Sequence, residues 1–241
     1  MKIALQLYSI NDISTEQGLC AALDKAKELG YDGVEFAGLF GLTAEQAKAE
    51  LDKRGLGCAG FHEGIDNVYP DPTERINMAK ICGAYSLCVP YYNTDSAEKW
   101  AEFGRQLNEV GAKFKAAGIP FGFHNHPHEF VPVDGKLPID IILENCSPEN
   151  VFFEMDTRHV IAAGYDPAEY AKKYSGRVTV LHARDTTDEC DCAVGAGKVD
   201  FPAVIEQIGI PEWIVVENEN FGKNEKELAD SVTYLRNTFG K

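Results

Sequence analysis

Residues 151–185 read VFFEMDTRHVIAAGYDPAEYAKKYSGRVTVLHARD. Two short apolar runs, Val151-Phe152-Phe153 and Val178-Thr179-Val180-Leu181, flank a segment with helical patterning. Each run leads directly into residues that ligate metals or carry protons: Glu154-Met155-Asp156 after the first, His182-Ala183-Arg184-Asp185 after the second. Two buried strands bridged by a helix make a parallel βαβ unit. The arrangement recurs on either side. Upstream, Phe121-Gly122-Phe123 enters His124-Asn125-His126-Pro127-His128-Glu129; downstream, Trp213-Ile214-Val215-Val216 enters Glu217-Asn218-Glu219. Functional residue types at the carboxyl ends of successive parallel strands mark the mouth of a (β/α)8 barrel.

Outward from this stretch, apolar runs alternate with helical patterns along the whole chain. They predict strands at 3–8, 33–37, 57–62, 86–90, 120–124, 151–155, 178–182 and 213–217. Helices are expected at 15–29, 43–53, from Asp71 onward, and at 96–117, 139–145, 167–174, 201–208 and 225–238. Gly30 stops the first helix. Asp71, Pro72 and Glu74 read as N-cap, first helical residue and capping-box partner of the third. Eight units in 241 residues leave about 30 residues each, the size of one βα unit. One α/β domain, a TIM barrel over residues 1–241, is the economical architecture. A doubly wound open sheet would put a glycine-rich turn after the first strand, and that turn is Ser9-Ile10-Asn11-Asp12.

Composition narrows the function. The chain carries 38 Asp+Glu against 23 Lys+Arg, a formal charge of −15. Nucleic-acid binding needs a basic stripe to displace counterions, and the sequence has none. The acidic balance fits a site that gathers carboxylates around a cation. No apolar run approaches the roughly 18 residues of a membrane span, and the apolar stretch after Met1-Lys2 is too short for an export signal. A cytoplasmic protein is therefore expected. Seven scattered cysteines, an odd number, fit reduced thiols. Cys190-Asp191-Cys192 reads as a polar surface loop in preference to a metal or redox motif.

Side chains alternate across a strand, so each polar residue near a strand end can be given a face. Gln6 shares one with Tyr8. Glu35 stands opposite Val34 and Phe36, and His62 opposite Phe61. Gly122, His124 and His126 share a face, as do Glu154 and Asp156; Val180, His182 and Arg184; and Val215, Glu217 and Glu219. Singly, Glu35 or His62 reads as a satisfied structural group. Together, so many inward ionisable groups are costly to bury without partners. A bound divalent cation relieves both their burial and their mutual repulsion. The alternatives are an anionic rim for a cationic ligand and a catalytic site without metal. Carboxylate and imidazole donors without thiolate fit Mn²⁺, Mg²⁺, Co²⁺ or Zn²⁺. Gln6, Tyr8, Glu35, His124 and Arg184 are expected to contact substrate.

Several segments carry a resemblance: Gln6-Leu7-Tyr8-Ser9, Gly30-Tyr31-Asp32-Gly33-Val34-Glu35, His124-Asn125-His126-x-x-Glu129-Phe130 and Asp156-Thr157-Arg158-His159. Arg177-Val178 through Asp185, Val194-Gly195-x-Gly197-x-Val199-Asp200-Phe201 and Val216-Glu217 complete the set. In this order and spacing the chain resembles the sugar isomerase/epimerase family with the xylose-isomerase-like TIM barrel. Relatives there include tagatose and allulose 3-epimerases, hydroxypyruvate isomerase, inosose dehydratase and endonuclease IV.

The resemblance implies one divalent metal, Mn²⁺ first and Co²⁺, Mg²⁺ or Zn²⁺ next, held by Asp156, His182 and Glu217. Glu129 is the expected fifth-strand ligand, with His126 or His124 as alternatives. Glu217 and Glu129 would form the acid–base pair. His62, His124 and His126 would move protons or orient hydroxyls, and His159 would contact substrate. The implied substrate is a small sugar or keto-sugar. The implied reaction is proton transfer beside its carbonyl through an enediolate, giving isomerisation or epimerisation. The family's His-x-Lys-Asp reads His182-Ala183-Arg184-Asp185 here, and Asp188 stands where epimerases carry an arginine. The His-Asn-His-x-x-Glu-Phe pattern looks more like members acting on keto-inositols or 3-keto sugars, which makes a lyase or dehydratase the second reading. An endonuclease IV-like nuclease and a non-catalytic sugar-binding barrel are the readings outside this class. A homo-oligomer is compatible with all of them.

Overall fold

The computed structural model describes residues 1–240. Seven strands follow in chain order: β1 (Lys2–Gln6), β2 (Gly33–Phe36), β3 (Gly57–His62), β4 (Ser86–Val89), β5 (Phe121–His124), β6 (Phe152–Asp156) and β7 (Val178–Ala183). β8 (Asp185–Thr186) and β9 (Asp191–Cys192) pair as a small antiparallel hairpin. β10 (Trp213–Val216) then takes the eighth place in the wall and pairs with β1, Lys2 opposite Trp213, closing a parallel barrel. The fold is a (β/α)8 TIM barrel.

Parallel strands buried on both faces read as continuous apolar runs, and the period of two decides what each face meets. Outward-facing Leu5, Val34, Phe36, Phe61, Phe123, Phe153, Leu181 and Val216 join the core between wall and helices. Inward-facing Ala4, Ala59, Cys88, Phe152, Val180, Trp213 and Val215 form a separate cluster within the barrel. Two residues further along the same strands come Gln6, Glu154, His182 and Glu217. The barrel is thus apolar inside toward the amino ends of its strands and ionisable toward their carboxyl ends. Two glycines make room for the Trp213 ring: a Cβ on Gly33 would lie 2.7 Å from it and one on Gly57 2.9 Å.

Local departures from expectation have local causes. The first strand ends at Gln6, whose side chain accepts from the Tyr8 amide and starts the turn Leu7–Ile10. The helix expected at 15–29 is two, Asn11–Gln17 and Leu19–Glu28, because Gly18 sits at φ 87° between them. The third helix starts at Thr73; Asp71 accepts from the Thr73 amide, but Glu74 pairs with Arg75 and no capping box forms. A short helix, Thr157–Ala162, precedes Pro167–Lys173. All seven cysteines are free thiols. Asp191 is buried in β9, so the polar-loop reading of 190–192 is corrected at its central residue. No described helix is long and apolar enough to cross a membrane.

Candidate functional site

All six histidines of the chain gather at the carboxyl end of the barrel. Ligand-type atoms of His124, Asp156, His182 and Glu217 lie within 4.8 Å of one another, and all four residues are buried. Asp156 ends β6 and caps the next helix, its Oδ1 accepting from the His159 amide at 2.8 Å. Asn125 clamps its backbone, accepting from the Asp156 amide at 2.9 Å. The other carboxylate oxygen, Oδ2, is buried without a hydrogen-bond partner, and so is His124 Nδ1. His182 has a carboxylate at each ring nitrogen: Glu217 Oε2 is 3.0 Å from Nδ1 and Glu35 Oε2 is 2.7 Å from Nε2. Glu35 in turn accepts from Gln6 Nε2 at 2.7 Å. A carboxylate behind a ligating imidazole is the usual way of orienting one. An unpartnered buried carboxylate oxygen among carboxylate and imidazole donors, with no thiolate, fits a divalent cation.

A cavity of about 330 Å³ opens above this cluster. Of the residues expected to form the site, Tyr8, His62, His124, His126 and Glu217 line it. Gln6 and Glu35 lie wholly buried beneath it. His159 is buried and stacks on His126, ring centroids 4.7 Å apart. Arg184 is 1% exposed and lies behind Glu217. Its guanidinium bonds Asp191 at 2.8 Å and Glu219 at 2.7 Å, and Nη1 is 3.6 Å from Glu217 Oε1. Arg184 therefore positions Glu217 and does not reach the cavity.

Glu129 is not brought to the cluster. The turn Pro127–Phe130 folds it back on its own strand, where Oε2 accepts from the His126 amide at 2.6 Å and Oε1 lies 3.1 Å from His128 Nε2. The fifth-strand residue the structure does bring there is His124, one of the alternatives. Two site residues had no assigned role in the sequence reading. Glu154 sits 2.7 Å from His62 Nε2, and its signal was visible: it shares a face with Asp156. Asp191 holds both Arg158 and Arg184, and nothing in a Cys-Asp-Cys loop announced it. A hollow of about 310 Å³ at the opposite end of the barrel and a groove of about 440 Å³ between helices Ala44–Arg54 and Thr73–Cys82 hold none of the clustered ligand groups.

A family model described as "Xylose isomerase-like TIM barrel" matches residues 23–238. The chain belongs to this family. Among curated relatives, it is 22% identical to the rhizopine catabolism protein MocC of Rhizobium meliloti, over 94% of this chain and 81% of that one. It is 23% identical to inosose dehydratase of Salmonella typhimurium, over 91% and 87%. Among solved structures, a sugar phosphate isomerase/epimerase from Parabacteroides distasonis superposes with a TM-score of 0.81 at 22% identity, covering 99% of this chain and 94% of that one. The IolI protein, described with a bound zinc atom, gives 0.74 at 14% identity, over 98% and 97%. At these identities the structural likeness carries the fold.

Within this xylose isomerase-like barrel, burial and neighbours push the clustered groups apart. Burial raises the Asp156 carboxyl to about 7, against the opposing pull of Arg184. Burial would also raise Glu217, but its hydrogen bond with His182 and the charge of Arg184 hold it below the usual carboxylate range. Burial disfavours charge on His62 and His182, yet Glu35 and Glu154 beside them hold both above the ordinary imidazole value. Glu154 is raised by burial and by the charge of Glu35. Burial lowers His124 and His159, and takes His126 to about 4.

Proposed function

We propose that this protein is a divalent-cation-dependent enzyme that moves a carbon-bound proton beside the carbonyl of a small sugar or keto-sugar, as an isomerase or epimerase. The supporting observation is the convergence of Asp156, His182, Glu217 and His124 beneath a cavity of about 330 Å³ that also exposes His62 and His126. Those four residues would hold the cation. When bound, it supplies Lewis-acid polarisation of a substrate carbonyl. Mn²⁺ is the ion expected from the family resemblance, and the zinc named for the IolI protein makes Zn²⁺ an equal candidate.

The protein's own groups divide the proton work. Glu217 faces the cavity ionised, so its carboxylate can accept the proton leaving carbon. His62 also faces the cavity, and Glu35 and Glu154 favour its protonated form against the effect of burial, so its imidazolium can return a proton when no ion is bound to that ring. Two groups whose environments push them in opposite directions make an acid–base pair. The Tyr8 side chain and the His126 ring, both lining the cavity, would orient substrate hydroxyls. Glu129, turned away from the cluster, takes no part.

A second reading is dehydration of a keto-inositol. It draws on the 23% identity to inosose dehydratase and on Asp188 standing where epimerases carry an arginine. The same base would act, and the departing β-hydroxyl would take the proton that His62 otherwise returns to carbon, leaving as water. The test is exchange of carbon-bound protons with D₂O, followed by NMR over a panel of ketohexoses and keto-inositols. Exchange is expected with Mn²⁺ or Zn²⁺ restored after chelation and not in stripped protein. Equal exchange without metal would remove the cation from the mechanism. A product with one water fewer would select the dehydratase.

A further inference from the structure

We propose a second cation site deeper in the barrel, formed by His62, His124, Glu154 and Glu35, with His182 shared between the two sites. This inference rests on the cation-dependent reading above only for the shared ring. Ligand atoms of His62, His124, Glu154 and His182 lie within 4.8 Å of one another. Around Glu154 Oε2 the separations are 2.7 Å to His62 Nε2, 3.3 Å to His124 Nδ1 and 3.4 Å to His182 Nε2. Glu35 Oε2 adds 3.2 Å to His62 Nε2 and 2.7 Å to His182 Nε2. Donors held about 2.1 Å from one ion stand roughly 3.0–3.4 Å apart, so these atoms already have nearly the spacing of a coordination shell.

Two further observations point to an ion. The second oxygens of Glu35 and Glu154, both Oε1, are buried with no hydrogen-bond partner, and so is His124 Nδ1. Two carboxylates match the charge of one dication; its binding displaces the protons on His62 Nε2 and on the bridging His182 ring, so with the inner ion in place His62 is a ligand and no longer serves as the acid. His62 and His124 line the cavity, which gives the ion a way in.

The nitrogens sort the two sites. His182 offers Nδ1 on the Glu217 side and Nε2 on the Glu35 and Glu154 side. His124 Nδ1 faces Glu154, so with both sites filled the outer ion keeps Asp156, Glu217 and His182. Three imidazoles among the donors favour Zn²⁺ or Co²⁺ over Mg²⁺. Sharing His182 places two dications close together, so the second ion binds more weakly than the first.

The experiment is metal stoichiometry by plasma mass spectrometry after equilibration of the full chain with Zn²⁺ alone, supported by the visible spectrum with Co²⁺. Two equivalents are expected for the wild type. Glu154→Gln should retain one with its circular dichroism unchanged, and Asp156→Asn should retain the other. One equivalent in the wild type, lost in Asp156→Asn and kept in Glu154→Gln, would overturn the inner site and leave the outer one standing. One equivalent lost only in Glu154→Gln would do the reverse. No bound metal would overturn both. Should Glu154→Gln fail to fold, His62→Gln, at the cavity wall, repeats the test.

Discussion

Asp156 shows how one side chain can serve the fold and the site together. One oxygen caps a helix while the other is left without a partner beside His124, His182 and Glu217. Asparagine keeps an acceptor for the cap and removes the charge. Asp156→Asn should therefore weaken metal binding at the outer site by more than the roughly 10–100-fold typical of outer-shell changes, measured by isothermal titration. The metal-free variant should also melt higher than the metal-free wild type at alkaline pH. The sign follows from a carboxyl raised to about 7 in the folded state against about 3.9 unfolded. The penalty of the raised carboxyl is complete above about pH 7, shrinks as pH falls through the interval between the two values, and vanishes only below about 3.9. The same proton competes with metal, so affinity should rise with pH through about 7, with proton release detected in buffers of different ionisation enthalpy. At this scale the sequence was legible where alternation alone places a side chain, as at His182 and Glu217. It misled at Glu129, because five residues beyond His124 the period of two no longer applies and a turn decides where the carboxylate points.

Strands and helices were largely legible, since buried runs and helix stops are written in apolar spacing. The breaks were not: Gly18 splits a helix whose apolar pattern runs on through it. The β8–β9 hairpin escaped notice for a related reason, because its two-residue strands carry no periodicity. Its logic is polar. Asp185 Oδ1 accepts from the amides of Thr186 and Val199, and Oδ2 from those of Gly195 and Gly197. The Val194-Gly195-x-Gly197-x-Val199 motif is thus a loop wound around one carboxylate, and Gly197 lies so close that a Cβ would collide with it. The hairpin also delivers Asp191 to Arg184, which faces Glu217. Asp185→Asn, with one acceptor oxygen in place of two, should cost about 2–4 kcal/mol in urea unfolding. Hydrogen exchange should accelerate first at the amides of residues 195–199.

Across the whole molecule, the barrel separates stability from chemistry along its axis. The ionisable groups occupy the carboxyl ends of the strands, and Trp213 with its apolar neighbours fills the amino ends. Trp213→Ala should cost about 3–5 kcal/mol in chemical denaturation, with metal stoichiometry unchanged because the indole belongs to the apolar cluster at the amino ends. That division was legible from the sequence in outline. The packing of Trp213 against Gly33 and Gly57 was not, since those residues lie far apart in the chain and meet only on closure. The filled lower half also makes the interior a blind tube with a single doorway. Whatever enters past Tyr8 and His126 must leave the same way, so a molecule still inside keeps the next one waiting. Product should accordingly inhibit in strict competition with substrate, and the slowest event of a cycle can be an exit.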